Sequence, residues 1–256
     1  MAVDAHAAPF SAPARPDLTG GRRIGVLLSH GFTGSPFSMR PWGEFLAEKG
    51  YAVEVPRLPG HGTTWQEMNR TGWSDWYGEI SRTYARLAAD NDAVVACGLS
   101  MGGALVLRLA ADHPDGLNGV VVVNPAVHTL RKDVLALPVL KHVVPAFPAI
   151  ANDIKKPGTD EHAYPKTPLK AAASMMAAWK PLVADLGKVT APLLYFRSTV
   201  DHVVDESSEP LIMGGVTSEV TMRRLENSYH VATIDNDAPA IFEESADFIA
   251  KVTAAS

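Results

Sequence analysis

Val94-Val95-Ala96-Cys97-Gly98-Leu99-Ser100-Met101-Gly102-Gly103 is the stretch on which the reading of this chain turns. Its valine-rich start reads as a strand buried on both faces, and from Ala104 to Ala111 the pattern becomes that of an amphipathic helix. Ser100 stands at the join, in the frame Gly98-x-Ser100-x-Gly102. Glycines two residues to either side let the backbone turn sharply enough to hold a hydroxyl out on a strained corner. Such a frame also recurs in ordinary glycine turns; the strand before it and the helix after it make Ser100 a candidate nucleophile. A serine hydroxyl is a weak nucleophile at neutral pH. The reading therefore demands a base, an acid to orient that base, and donors for a developing oxyanion.

Outward from this corner, Ile24 to Leu28 reads as a strand ending in His30-Gly31-Phe32-Thr33-Gly34-Ser35. Open parallel sheets place ligand-facing groups in such loops, at the carboxyl ends of their strands. Pro36 opens a helix through Lys49 that Gly50 closes. Tyr51 to Val55 is the next strand, running into Pro56-Arg57-Leu58-Pro59-Gly60-His61-Gly62. His30 and His61 read as loop histidines that bond nearby backbone. Trp65, Trp73, Trp76 and Tyr77 cluster about a helix capped by Ser74 and running to about Ala89, and read as packing it to the sheet. Downstream, Gly119 to Asn124 holds four consecutive valines, and strands now alternate with helices. That rhythm gives an α/β fold with a mostly parallel, doubly wound sheet.

The rhythm breaks between about 126 and 167, where prolines interrupt every helical run and no strand is expected. A segment this long between two core strands reads as a lid over Ser100, with a packing subdomain that never meets substrate as the alternative. Pro192 to Ser198 is the following strand and delivers Asp201 and Asp205; the last, Glu219 to Leu225, delivers His230. A helix from Pro239 to Thr253 closes the chain. Residues 1–20 read as a loosely held N-terminal arm ahead of one domain over 21–256.

Composition narrows the function. With 256 residues the chain can bury a large core as one domain plus an insertion. A net charge of −5 and no block of Lys/Arg argue against nucleic acid as a partner. The one cysteine, Cys97, excludes an internal disulfide and reads as a buried, inert thiol. No His-x-x-x-His pair or carboxylate cluster has metal-ligand spacing, and no Gly-x-Gly-x-x-Gly follows a strand, so neither metal nor cofactor is expected. The N-terminus lacks the basic-then-apolar layout of a signal peptide, and no run approaches the ~18 apolar residues of a membrane span. A cytoplasmic location is expected.

His30-Gly31-Phe32-Thr33-Gly34, Gly60-His61-Gly62, Gly98-Leu99-Ser100-Met101-Gly102-Gly103, Asp201-His202-Val203-Val204, Asn227-Ser228-Tyr229-His230-Val231-Ala232-Thr233 and the insertion segments Asp153-Ile154-Lys155-Lys156-Pro157 and Ala163-Tyr164-Pro165-Lys166-Thr167-Pro168 together resemble the bacterial monoacylglycerol lipases and thermostable carboxylesterases. The likeness runs from about Gly25 to Ala250. These are α/β-hydrolases, in which nucleophile, acid and base follow in that order along the chain. His230, the final histidine, is then the base; Asp201 is preferred as the acid because it sits nearer its strand end than Asp205, which is free to cap the next helix. The backbone amides of Phe32 and Met101 fall where this fold places its oxyanion donors.

The resemblance implies hydrolysis of 1- and 2-monoacylglycerols to glycerol and fatty acid through an acyl-enzyme, with no cofactor or metal. It also implies that Ile150 shapes acyl specificity and Glu161 holds the glycerol end, with transient contact between lid and lipid interface. A short-chain carboxylesterase would use the same triad. Since fold does not fix function, a slow-turnover receptor for small ligands is the reading from a different class.

Overall fold

A computed structural model describes residues 3–254. Its strands are β1 (Phe10–Ala12), β2 (Ile24–Ser29), β3 (Ala52–Val55), β4 (Ala93–Leu99), β5 (Gly119–Val123), β6 (Ala146–Pro148), β7 (Lys166–Pro168), β8 (Leu193–Ser198) and β9 (Val220–Leu225). The α-helices are α1 (Arg40–Glu48), α2 (Trp65–Met68), α3 (Trp73–Asp90), α4 (Met101–Asp112), α5 (Leu137–Leu140), α6 (Leu169–Asp185), α7 (Ser208–Gly215) and α8 (Ala238–Val252). Seven strands form one sheet in the order β1-β3-β2-β4-β5-β8-β9, parallel except for β1.

Every residue of β4 is buried, and successive side chains go to opposite sides. Val94 and Ala96 join a core with Trp76 and Ile80 of α3, Leu105 of α4 and Trp179 of α6. Val95 and Cys97 join a second core with Trp42 and Leu46 of α1 and Ile241 and Ile249 of α8. Two covered faces explain why the run from Val94 to Leu99 shows no alternation of apolar and polar residues. Because these strands run parallel, the carboxyl ends of β2, β4, β8 and β9 lie at one edge of the sheet, where four loops meet.

Three expectations are corrected. The N-terminal arm is stitched down: β1 pairs antiparallel with β3, Phe10 opposite Val55, and Arg15 donates to the carbonyls of Ala47 and Glu48 at 2.7 Å, ending α1. A three-residue strand is too short to show a period, which is why composition alone suggested slack. The helix after Phe32's loop splits into a 3₁₀ turn (Pro36–Ser38) and α1, and Gly72, with the Asp75 carboxylate accepting its N–H at 2.9 Å, replaces Ser74 at the head of α3.

The insertion also holds strands after all, because β6 and β7 pair antiparallel with Phe147 opposite Thr167. Leu169 N–H donates to Pro145 O at 3.0 Å and Ala149 N–H to Pro165 O at 3.1 Å. This alternation leaves Pro148 and Pro168 at positions whose nitrogen faces away from the partner strand, while Pro145 and Pro165 end the ladder, each joining it through its carbonyl alone.

At the β4–α4 corner, glycine is a steric requirement. A Cβ on Gly98 would lie 2.3 Å from Gly102 O, and one on Gly102 would lie 2.1 Å from Ser29 O; both obstacles are main chain. Gly102→Ala is expected to cost about 3 kcal/mol, the upper end for overpacking because backbone must move. In a chain of this size that lowers Tm by roughly 6–12 °C in a thermal melt; an unchanged Tm would contradict the close approach.

Candidate active site

Ser100 occupies φ 56°, ψ −118°, a conformation rarely adopted by a side-chain-bearing residue. The corner is held by its neighbours. Ser100 N–H donates to Val123 O at 2.9 Å, and Ser100 O accepts from Ala104 and Ala126 N–H, both at 3.2 Å. Thr33, Asn124, Asn152 and His162 are the other non-glycine residues at positive φ among the described residues, and all lie in segments that converge here. Strain gathered in one place is the mark of a functional site. The Ser100 hydroxyl has no hydrogen-bond partner among the described residues, and a Cβ built on Gly31 would lie 3.3 Å from Ser100 Cβ.

That close approach brings the β2 loop against the serine. His30 orients the loop: its Nδ1–H donates to Gly31 O at 3.0 Å and its Nε2 accepts Leu58 N–H at 3.2 Å. Burial lowers the His30 pKa to about 4, so the ring stays neutral and keeps that tautomer. Gly31 C=O and Phe32 N–H belong to one trans peptide, and fixing the carbonyl turns the N–H to the opposite side. Among the described residues neither Phe32 N–H nor Met101 N–H donates to a protein acceptor. Met101 opens α4, where free N–H groups and the helix dipole both favour an anion. His61, as expected, bonds only nearby backbone, at Pro59 O.

His230 Nδ1 lies 3.0 Å from Asp201 Oδ2, so of the two candidate carboxylates it is Asp201 that meets the ring. Asp201 is wholly buried and fully used. Oδ2 also receives Arg197 Nη1 at 2.7 Å, and Oδ1 receives Val203 and Val204 N–H at 2.9 and 2.8 Å. Burial by itself would raise its pKa; the His230 charge and hydrogen bond, the Val204 amide and Arg197 outweigh that and hold it at about 2. For His230 burial favours the neutral ring, but Asp201, Glu161 and Asp153 outweigh it and raise the pKa above its ordinary value. Asp205 holds the head of α7, its Oδ1 accepting Ser207 N–H at 3.0 Å, and it does a second job with Oδ2. It accepts Leu130 N–H at 2.7 Å and Thr129 Oγ1–H at 2.9 Å, pinning the start of the insertion.

Three supports escaped the sequence reading. Arg197 is a lone charge in an otherwise apolar strand four residues before Asp201, which is a readable signal. Asn124 donates from Nδ2 to His230 O at 2.8 Å, and Asp153 Oδ2 accepts His230 N–H at 3.2 Å; both contacts are long-range and leave no local trace.

Ser100, His230, Phe32 and Leu99 border a cavity of about 550 Å³ closed on the far side by the insertion. Leu137, Leu140, Leu169, Met176 and Trp179 give it an apolar wall, while Thr33, Ser38 and Glu161 give it a polar corner. A Cβ built on Gly34 would lie 4.0 Å from Glu161 Oε2, so this carboxylate stands against the far end of Phe32's loop. Glu161 Oε1 accepts Asn152 N–H at 2.8 Å, yet burial still raises its pKa. Ile150 borders the cavity and is about half exposed, at its rim. The arrangement suits attack by a serine on an ester whose acyl part is apolar and whose alcohol is polar.

Comparison with known proteins agrees with this chemistry. The family model described as serine aminopeptidase, S33 (Hydrolase_4) matches residues 21–237. A thermostable monoacylglycerol lipase of Bacillus sp. (strain H-257) is 40% identical over 248 residues, 95% of this chain and 97% of the relative. A carboxylesterase of Bacillus subtilis (strain 168) is 27% identical over 233 residues, 89% of this chain and 92% of the relative. A solved structure from work on two metagenome-derived lipolytic enzymes, LipS and LipT, superposes with a TM-score of 0.92 at 40% identity, covering 98% of this chain and all of that one. A parallel sheet with a serine at the β4–α4 corner, matched by a family model over most of its length and by a near full-length relative, makes the chain a member of the S33 serine hydrolase family of the α/β-hydrolases.

Proposed function

We propose that the protein hydrolyses monoacylglycerols. The observation that carries this reading is the His230–Asp201 couple beside Ser100 at the mouth of a largely apolar cavity whose lining includes the Glu161 carboxylate. His230 Nε2 takes the proton of Ser100 as Oγ attacks the ester carbonyl, and the oxyanion forms toward the Phe32 and Met101 amides. Glycerol leaves with the proton from His230, and water, activated by the same ring, releases the fatty acid from the acyl-enzyme. Asp201 holds the ring in the Nδ1–H tautomer and stabilises its charged form.

The insertion serves as lid and acyl wall. Glu161 accepts hydrogen bonds from glycerol hydroxyls, and Ile150 limits the acyl chain at the rim. Outside, Leu135, Val139 and Val143 are each about three-quarters exposed. Residues 127–156 hold five Lys/Arg against two Asp in a chain of net charge −5. Apolar side chains among cations suit transient contact with an anionic lipid surface. The carboxylesterase relative favours a second reading, a short-chain esterase of broad specificity on the same triad. No described helix is long and apolar enough to cross a membrane.

Rates on monolaurin against p-nitrophenyl butyrate separate the two readings: preference for the butyrate ester would remove the lipase assignment. Ser100→Ala should lose on the order of 10⁶ in turnover and Asp201→Asn roughly 10⁴, with circular dichroism confirming fold because Asp201→Asn also strips Arg197 of its partner. Asp205→Asn should stay active; the reverse ranking would reassign the acid. Glu161→Gln should cost about 10- to 100-fold in kcat/KM on monolaurin, the scale of a charged hydrogen bond, and much less on the aryl ester. Parallel losses on both substrates would end its headgroup role. Replacing Leu135, Val139 and Val143 together by serine should abolish co-sedimentation with phosphatidylglycerol vesicles while p-nitrophenyl butyrate is still hydrolysed; unchanged sedimentation would rule out lid docking.

A further inference from the structure

Asp153 leaves the insertion and enters the space between the two loops that carry Asp201 and His230. Its side chain is only 9% exposed, although Asn152 before it and Lys155 to Gly158 after it face solvent. Oδ2 accepts two main-chain protons, His202 N–H at 3.0 Å and His230 N–H at 3.2 Å. Oδ1 meets His202 Nδ1 at 2.7 Å, and the Asp153 carbonyl accepts Val231 N–H at 3.1 Å. One residue thus receives the two consecutive amides that flank the Cα of His230, together with the amide that follows Asp201.

The opposite side of His230 is held from the sheet. Asn124 Nδ2 donates to His230 O at 2.8 Å, and Ser198 Oγ donates to Tyr229 O at 2.8 Å. These bonds fix carbonyls of the loop, and Asp235 takes the Tyr229 amide at 2.9 Å, which leaves the His230 and Val231 amides to whatever lies above. Asp153 is what lies above. A carboxylate accepting several amides is a strong, charge-assisted anchor, and here one anion does this for two loops from two different strands.

We propose that Asp153 is a positioning residue for the Asp201–His230 couple, a carboxylate of the insertion that fixes the main chain of both loops and so sets where the imidazole stands relative to Ser100. The insertion is then part of the catalytic frame as well as a cover: a lid position that withdraws Asp153 releases the base. The proposal rests on the reading of His230 as the base. A misplacement of about 1 Å at a reacting group costs on the order of 10²-fold in rate, which sets the scale of the effect.

The charged groups facing His230 are Asp201, Glu161 and Asp153, with Arg197 reaching it through Asp201. All three carboxylates raise its pKa, so base catalysis is lost as pH falls through a pKa raised from the ordinary histidine value. Removing the Asp153 charge moves that acid limb to lower pH. The test compares Asp153→Ala and Asp153→Asn by kcat, KM and the pH profile of kcat/KM on p-nitrophenyl butyrate, with thermal melts to verify folding. Asparagine keeps an acceptor for the His202 and His230 amides and, through the other histidine tautomer, a donor to His202 Nδ1.

Expected are a 10- to 100-fold loss of kcat at little-changed KM for Asp153→Ala, recovery to within about threefold of the parent for Asp153→Asn, and an acid limb displaced downward in both. If Asp153→Ala unfolds, recovery of kcat with a displaced limb in Asp153→Asn carries the test. A kcat for folded Asp153→Ala within twofold of the parent, an equal loss in both variants, or an unmoved acid limb overturns the proposal. Ser100→Ala and His230→Ala run alongside: turnover surviving in either removes the base assignment and the positioning role with it, whereas two inactive controls beside an unaffected Asp153→Ala remove the positioning role alone.

Discussion

A carboxylate wholly withdrawn from water persists only if each of its lone pairs has a donor, and Asp201 is such a group. Four donors from three directions meet it: the Arg197 guanidinium from its own strand, the Val203 and Val204 amides from the loop it opens, and His230 from the next strand's loop. Removing one partner of a buried ion pair typically costs about 3–5 kcal/mol, because the survivor stays buried and unpaired. The loops after β8 and β9 have little freedom left once this anion is satisfied. Its influence on stability has a definite sign: with a native pKa near 2, ionised Asp201 stabilises the fold above the unfolded carboxylate range near ~4, and that contribution is lost as pH falls through the native value. His230 acts oppositely. Its raised pKa contributes fully below the unfolded value near ~6.5 and is lost as pH rises through the native one.

The insertion makes sense within the same frame. It is tied at its start by Asp205, in its middle by Asp153 and Asp235, and near its end by Tyr164. Asp235 accepts the Lys155 and Lys156 amides together with that of Tyr229, while Tyr164 Oη donates to Gly60 O and accepts Thr63 N–H. Between the first tie and the rest, residues 131–150 carry the exposed apolar side chains and none of these anchors. That stretch is tied by Asn69 Nδ2 at Pro145 O, 3.2 Å, and by Leu137 packing on Leu169, whereas the stretch beside the imidazole is held by carboxylates.

Much of this was legible in the chain. The β4–α4 corner could be read because its glycines serve a local purpose, close approach of main chain to main chain, and because a strand buried on both faces has a composition of its own. Ser100, Asp201 and His230 could be read as candidates because they leave from strand ends in a fixed order, and the structure brings Asp201 and His230 into contact. What stayed hidden depends on sequence-distant partners: Asn124 and Asp153 reach His230 across 106 and 77 residues, and no local pattern encodes such a meeting. The β6–β7 ribbon was hidden for another reason, since its prolines read as breakers until the register shows that the ladder never needs their nitrogens. Ser74 lost the cap of α3 to Gly72 because Asp75, three positions on, reaches back to the helix start.

The three-residue strand at the N-terminus has a wider bearing. β1 pairs along the outer edge of β3, and the peptide groups it occupies there are the ones another molecule would need to extend the sheet from β3. Trimming the chain to begin at β2 would remove none of the hydrogen bonds around Asp201 and His230 and yet expose that edge. A form shortened past β1 is therefore expected to show the loss first in its colloidal behaviour, as association between copies, before any change reaches its chemistry.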